Sequence, residues 1–225
     1  MLYYAGGLHL PGEVHHGNTV MDYMEQERKR GITIRAATVA FQWEGHQINL
    51  IDTPGHVDFS AEVERSLRVC DGAVTIFDGM MGVETQSETV WMQANKFNVP
   101  RLGFINKLDR LGAQIETTTN SIKRRLKVEP IMVNIPSSDS QLTGLIDLST
   151  MMHIDYTVDD MGKHVSLEDI DSKHKLFDMA IVERERMIEQ LSNYDDDLGD
   201  LYLSEEIASI KSEDIDKAIA KAALS

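Results

Sequence analysis

Asp52-Thr53-Pro54-Gly55-His56 sets an acid, a hydroxyl, a turn and an imidazole side by side, directly after the strand-like run Ile48-Asn49-Leu50-Ile51. A carboxylate at the end of a buried parallel strand leaves the carboxyl edge of its sheet, where open α/β folds bind ligands. From there Asp52 can reach a metal ion through water. Gly55 has no Cβ, so its backbone can approach a phosphate and donate an N–H to it. The plain alternative is a helix-capping Asp followed by a Pro-Gly turn. A second group, Asn106-Lys107-Leu108-Asp109, ends another apolar run, Leu102-Gly103-Phe104-Ile105. A third stretch, Arg30-Gly31-Ile32-Thr33-Ile34, supplies a threonine that could close on Mg²⁺ when a γ-phosphate is present.

These groups need elements to hold them. Ala37, Val39, Phe41 and Trp43 alternate with Thr38, Ala40 and Gln42, the period of a half-buried strand, and Glu44-Gly45-His46 turns the chain. Gln47 to Ile51 returns, so the expectation is a hairpin that gives a mostly parallel sheet one antiparallel edge. Phe59, Val63, Leu67 and Cys70 follow at helical spacing. Gly72 to Phe77 reads as a buried strand ending at Asp78, and Leu102 to Ile105 as another. Thr85 with Glu88 fits a capping box for the helix between them. Val20 to Arg30 reads as a short charged helix and Ala113 to Lys127 as an amphipathic one. Strands are expected over Ile131 to Ile135 and Gly144 to Leu148. A long helix is expected over Lys175 to Ser192, with Met179, Val182, Met187 and Leu191 among its apolar positions, and a last helix from Ser212.

Asn-Lys-x-Asp at a strand end is the sequence with which GTPases read guanine. The acid accepts bonds from N1–H and the exocyclic amine, the Asn meets the base edge, and the Lys stem covers the ring. Placed in order after Asp52 and Thr33, it makes the chain resemble the GTPase domain of the translational GTPase family, the elongation factor G group most closely. The likeness extends through Tyr3 to Gly6, Met21 to Glu27, Arg30 to Ile34, Asp52 to Phe59 and Asn106 to Gly112. It implies GTP and Mg²⁺ as cofactors. Thr33 and Asp52 would be the magnesium ligands, Thr53, Pro54 and Gly55 the loop at the γ-phosphate, and His56 the catalytic group that orients water. Asn106, Lys107, Leu108 and Asp109 would hold the base. The implied partners are guanine nucleotide and the ribosome, through rRNA and stalk proteins. No membrane or DNA partner and a monomer are expected.

One part of the family pattern is missing. No G-x-x-x-x-G-K-[ST] phosphate loop occurs in the 225 residues, and no Ser-Ala strand-end motif follows before Ser225. The expected fold is therefore a P-loop-type α/β GTPase domain without its first strand and phosphate loop. Residues 1–135 would form the GTPase domain, 136–203 an inserted α+β subdomain, and 204–225 the return to the GTPase domain. On this reading the chain is a fragment, poorly soluble alone and weak toward GTP. A ribosome-docking domain that binds no nucleotide is the alternative.

Composition is that of an ordinary globular chain, 42% hydrophobic and 26% charged. No apolar run approaches the roughly 20 residues of a membrane span. The single Cys70 rules out a disulfide framework and suits a small core position. The net charge of −15 sits oddly with an RNA-rich partner. Its distribution is uneven, with 18 acids against 8 bases from 159 to 225. A solvated surface accounts for that excess; a docking face for a basic protein is the alternative. The basic run Lys123-Arg124-Arg125-Leu126-Lys127 complements a helix C-terminus or touches rRNA. His9, His15 and His16 read as loop histidines rather than metal ligands. The wording of the chain leans toward a mitochondrial factor, with a cytoplasmic one as the alternative.

Overall fold

The computed structural model describes residues 1–2, 4–6, 21, 24–30, 33–138, 143–158, 164–204 and 207–225. The loop histidines His9, His15 and His16 lie outside them. In chain order the elements are α1 (Glu25–Arg30), β1 (Ala37–Trp43), β2 (His46–Asp52), a 3-10 turn (Val57–Phe59), α2 (Ser60–Leu67), β3 (Ala73–Asp78), α3 (Thr85–Lys96) and β4 (Arg101–Asn106). Then come α4 (Ile115–Leu126), β5 (Asn134–Pro136), β6 (Gly144–Asp147), β7 (Met152–Asp155), β8 (Ser166–Asp169), α5 (Phe177–Leu191), α6 (Asp196–Leu203) and α7 (Ser212–Leu224). They fall into two compact units, 1–73 with 84–99, and 74–83 with 100–225.

In the first unit β1 and β2 form the expected antiparallel hairpin, with Trp43 opposite His46 and Ala37 opposite Asp52. Glu44 and Gly45 both take positive φ at its turn, 47° and 80°. That conformation costs glycine nothing and fits the twist of a two-residue hairpin loop. Val63 and Leu67 of α2 pack with Ala94 of α3 and with Val99, and Cys70, Val90 and Phe97 close the edge of this core. Burial raises the Cys70 thiol pKa, and Asp71 adds to the effect. Glu64 joins the two helices on the outside, 2.8 Å from Lys96 and 3.4 Å from Arg68.

In the second unit β3 and β4 pair, the parallel sheet of an α/β fold. Strands β5 to β8 make a separate four-stranded antiparallel sheet in sequence order. Its face packs on α5, α6 and α7 through Ile146, Leu148, Ile188, Leu191, Leu198 and Ile215. Each fully buried aliphatic side chain there contributes about 1.5–3 kcal/mol. Arg184 of α5 ties this core together by donating to the carbonyls of Leu148, Ser149 and Ile210. Asp195 caps α6 by accepting the Leu198 N–H at 3.1 Å, and it pairs with Lys221 of α7 at 2.6 Å.

Several expectations need correction. The run Ile48 to Ile51 is not buried: β2 is exposed from His46 to Asn49 and half-buried only toward Asp52. Strands β3 and β4 are one-sided, with Val74, Ile76, Leu102 and Phe104 exposed and Phe77 buried. Alternate side chains face opposite ways in a strand, and a continuous apolar run does not say whether one face or both are covered. The first residue of α3 is Thr85, and Glu84 precedes it in extended conformation with no side-chain cap, so the Thr85–Glu88 box does not form. The strand expected over Ile131 to Ile135 is shifted to Asn134–Pro136, and β7, β8 and α6 were not anticipated. On α5 the buried stripe is Ala180, Met187, Ile188 and Leu191, while Met179 and Val182 are exposed. The long axis of that stripe includes Arg184, whose charge hid it from a count of apolar positions.

Candidate functional site

The residues expected at the metal and the water lie in the first unit and those expected to hold the base in the second. Asp52 is the last residue of β2, half-buried, opposite Ala37. The chain from Thr33 therefore enters the hairpin at the end where Asp52 leaves it. Thr33 is half-buried, Pro54 buried, and Gly55 and His56 exposed. Nothing stands within 4 Å of the position a Cβ on Gly55 would take, so its backbone faces open space. Asp52 and Thr33 are hard oxygen donors, the kind Mg²⁺ takes.

His56 is tethered at its own turn. Its Nδ1 lies 3.3 Å from Asp58 Oδ2, its ring is 5.9 Å from that of Phe59, and its carbonyl accepts the Phe59 N–H at 3.0 Å.

Glu27 holds the segment after Thr33 and was not singled out by sequence. Its carboxylate is fully buried and accepts three backbone N–H groups: Met24 at 2.8 Å, Ile34 at 2.9 Å and Arg35 at 3.0 Å. Burial pushes its pKa up, but the bonds from Arg35, Met24 and Ile34 outweigh that and lower it. A charged residue on a short charged helix gives no sequence signal for such a role.

In the second unit Asn106 ends β4 and its carbonyl accepts the Gly79 N–H at 2.8 Å. Lys107 takes φ of 60°, a left-handed conformation that turns the motif out of the strand. Its ammonium lies 2.7 Å from Asp78 Oδ2. Gly79 suits a close approach here: a Cβ there would sit 2.9 Å from Leu108 Cδ2 and 3.0 Å from the Asn106 carbonyl oxygen, so the Leu108 side chain would have to shift. The fully buried Thr118 of α4 brings its hydroxyl within 3.3 Å of the Asp78 carbonyl. Ser121 Oγ accepts the Val83 N–H at 3.1 Å. The loop after β3 is thus the buttress of the Asn-Lys-x-Asp turn, and Asp109 is left exposed at its tip. The strand-ending acid at 78 was visible in the sequence; its pairing with Lys107, 29 residues on, was not. Of the basic run on α4, Lys123 pairs with Glu129 at 2.5 Å and Arg125 donates to the Val83 carbonyl.

The Lys107 ammonium, followed by the Met80 N–H, lowers the Asp78 pKa from 3.8 to about 2. A carboxyl whose folded value is depressed stabilises the fold above its ordinary value and loses that contribution as pH falls through the folded one. Between pH 3.8 and about 2, unfolding free energy should fall more steeply for the wild type than for Asp78→Asn. Equal slopes in acid denaturation would remove Asp78 from this role.

A strand-end acid, a Pro-Gly turn with histidine and a buttressed Asn-Lys-x-Asp loop on an α/β frame are the features expected of a guanine-nucleotide-binding domain. Residues 1–215 match the family described as the elongation factor Tu GTP binding domain. The chain belongs to that family and is a translational GTPase domain. GTP hydrolysis is the activity of that family. The fold is similar to a crystal structure of a protein from Thermus thermophilus, with a TM-score of 0.84 over 99% of this chain at 24% identity. The chain spans 32% of that protein's length.

Proposed function

We propose that this chain is the GTP-binding and GTP-hydrolysing domain of an elongation factor G-like protein that works on the ribosome, in translocation or in recycling. The observation that supports this most is the Asn106-Lys107-Leu108-Asp109 turn, fixed from behind by Asp78 and Gly79. Asp109 would accept from guanine N1–H and the exocyclic amine, and Asn106 would meet the base edge. Lys107 would lay its stem on the ring while its ammonium stays with Asp78. Thr33 and Asp52 would hold Mg²⁺, which when bound neutralises charge on the β- and γ-phosphates. Gly55 would donate its N–H to the γ-phosphate, and His56 would orient the attacking water once it leaves Asp58.

A second reading, ribosome docking without nucleotide, is favoured by one observation: no G-x-x-x-x-G-K-[ST] occurs in these 225 residues. The amides and lysine of that loop hold the β-phosphate, and binding by these residues alone should be weak. Fluorescent GDP and ATP titrations, on this chain and on a form that includes a phosphate loop, separate the readings. Tight binding of GDP but not ATP by the longer form supports the GTPase. Ribosome binding with no guanine affinity in either form supports docking.

A further inference from the structure

Far from the nucleotide motifs in sequence, β7, β8 and the turn before α5 collect two imidazoles and a carboxylate. His153 and Glu168 are register partners across β7 and β8, so their side chains leave the same face of the sheet. His153 Nδ1 lies 3.9 Å from Glu168 Oε2, and His174 Nε2 lies 3.4 Å from the same oxygen. One ligand atom from each of the three falls within 4.8 Å of the others. In a tetrahedral site with bonds of about 2.0–2.2 Å, neighbouring donors stand about 3.3–3.6 Å apart. A small contraction therefore closes this set around an ion. The histidine side chains are 10% and 8% exposed and that of Glu168 is 65% exposed, which leaves the entrance on the carboxylate side.

We propose that His153, Glu168 and His174 form a zinc site that fastens β7, β8 and the turn before α5. Two imidazoles and one carboxylate suit Zn²⁺, whereas Mg²⁺ and Ca²⁺ take oxygen donors. The ring nitrogens not used for coordination bear on the assignment. His153 Nε2 is buried with no hydrogen-bond partner. Coordination through Nδ1 puts the ring proton on Nε2. Nε2 and Ser137 Oγ lie 2.8 and 3.1 Å from the point a Cβ on Gly144 would occupy. A ligating histidine commonly donates its second N–H, and here Ser137 Oγ flanks the same point as Nε2 but makes no hydrogen bond to it. At His174 the Leu176 N–H donates to Nδ1 at 3.1 Å, which holds the proton on Nε2, facing Glu168, while no metal is bound. Zinc takes that place, the ring proton moves to Nδ1, and the Leu176 bond is given up. Binding thus gives up one backbone hydrogen bond, and the Leu176 amide reports it.

The test is calorimetric titration of the 225-residue chain with ZnCl₂ in excess Mg²⁺, which keeps oxygen-donor sites filled, with Co²⁺ absorption as a second probe. One equivalent of zinc should bind and give the visible bands of a tetrahedral site with Co²⁺. The Leu176 amide should exchange faster in the zinc-loaded chain. Glu168→Gln, at an exposed strand position, should weaken zinc by at least about tenfold, and His174→Ala should abolish that equivalent. Should His174→Ala not fold, Glu168→Gln and the Leu176 amide decide the matter. No uptake, or uptake unchanged in Glu168→Gln with the Leu176 amide unaffected, overturns the site and places any zinc on other histidines. Neither result depends on GTP binding.

Discussion

Asp109→Asn should lose GTP and gain xanthosine triphosphate. The carboxylate offers only acceptors to guanine N1–H and the exocyclic amine, and an amide turns a donor toward one of them. Two charge-assisted bonds at about 1.5–3 kcal/mol each amount to a loss of roughly a hundredfold or more in affinity. Xanthine carries a carbonyl where guanine carries its amine, so the amide donor finds a partner there. The substitution should not disturb the loop, because the turn is held by Lys107 on Asp78 and by the Gly79 N–H on the Asn106 carbonyl, not by the exposed acid at its tip. Competitive nucleotide titration on a form that carries a phosphate loop is the measurement. Unchanged GTP affinity would show that Asp109 does not read the base.

His56→Ala should separate binding from chemistry. His56 is exposed, with Nδ1 beside Asp58 and its ring against Phe59, so it is parked on its turn and holds no other element in place. The GTP dissociation constant of the variant should stay within a few-fold of wild type. Ribosome-stimulated turnover should fall by about a hundredfold or more, the scale of a positioned group that manages a proton in the transition state. Turnover that survives on saturating ribosomes would reduce His56 to a turn residue.

Contiguous motifs were legible in the sequence because a few adjacent residues carry both the chemistry and the turn that presents it. Asp52 to His56 and Asn106 to Asp109 sit at strand ends, as their apolar lead-ins suggested. The hairpin followed from strict alternation in Ala37 to Trp43. Long-range partners were not legible. Nothing in Asp78-Gly79 announces that one residue neutralises Lys107 and the next makes room for Leu108. Burial was also overread, since Val74, Ile76, Leu102 and Phe104 sit in strands apolar enough to be taken as covered on both faces. Strands β7 and β8 escaped notice because they are short and β8 is exposed throughout.

The carboxylate of Glu27 fastens the residues after Thr33 at a single point instead of along a ladder. A ladder frays one rung at a time, whereas here one carboxylate oxygen holds the Ile34 and Arg35 amides together. Detachment also has a second cost. Once Ile34 and Arg35 leave, the carboxylate keeps only the Met24 N–H of its three amide donors, and an anion so thinly partnered in a dry place must reach water or find new donors. Glu27 belongs to α1, so release of the Thr33 segment changes the surroundings of a buried carboxylate on that helix. The placement of the Thr33 segment and the electrostatic surroundings of α1 are thereby coupled through one carboxylate.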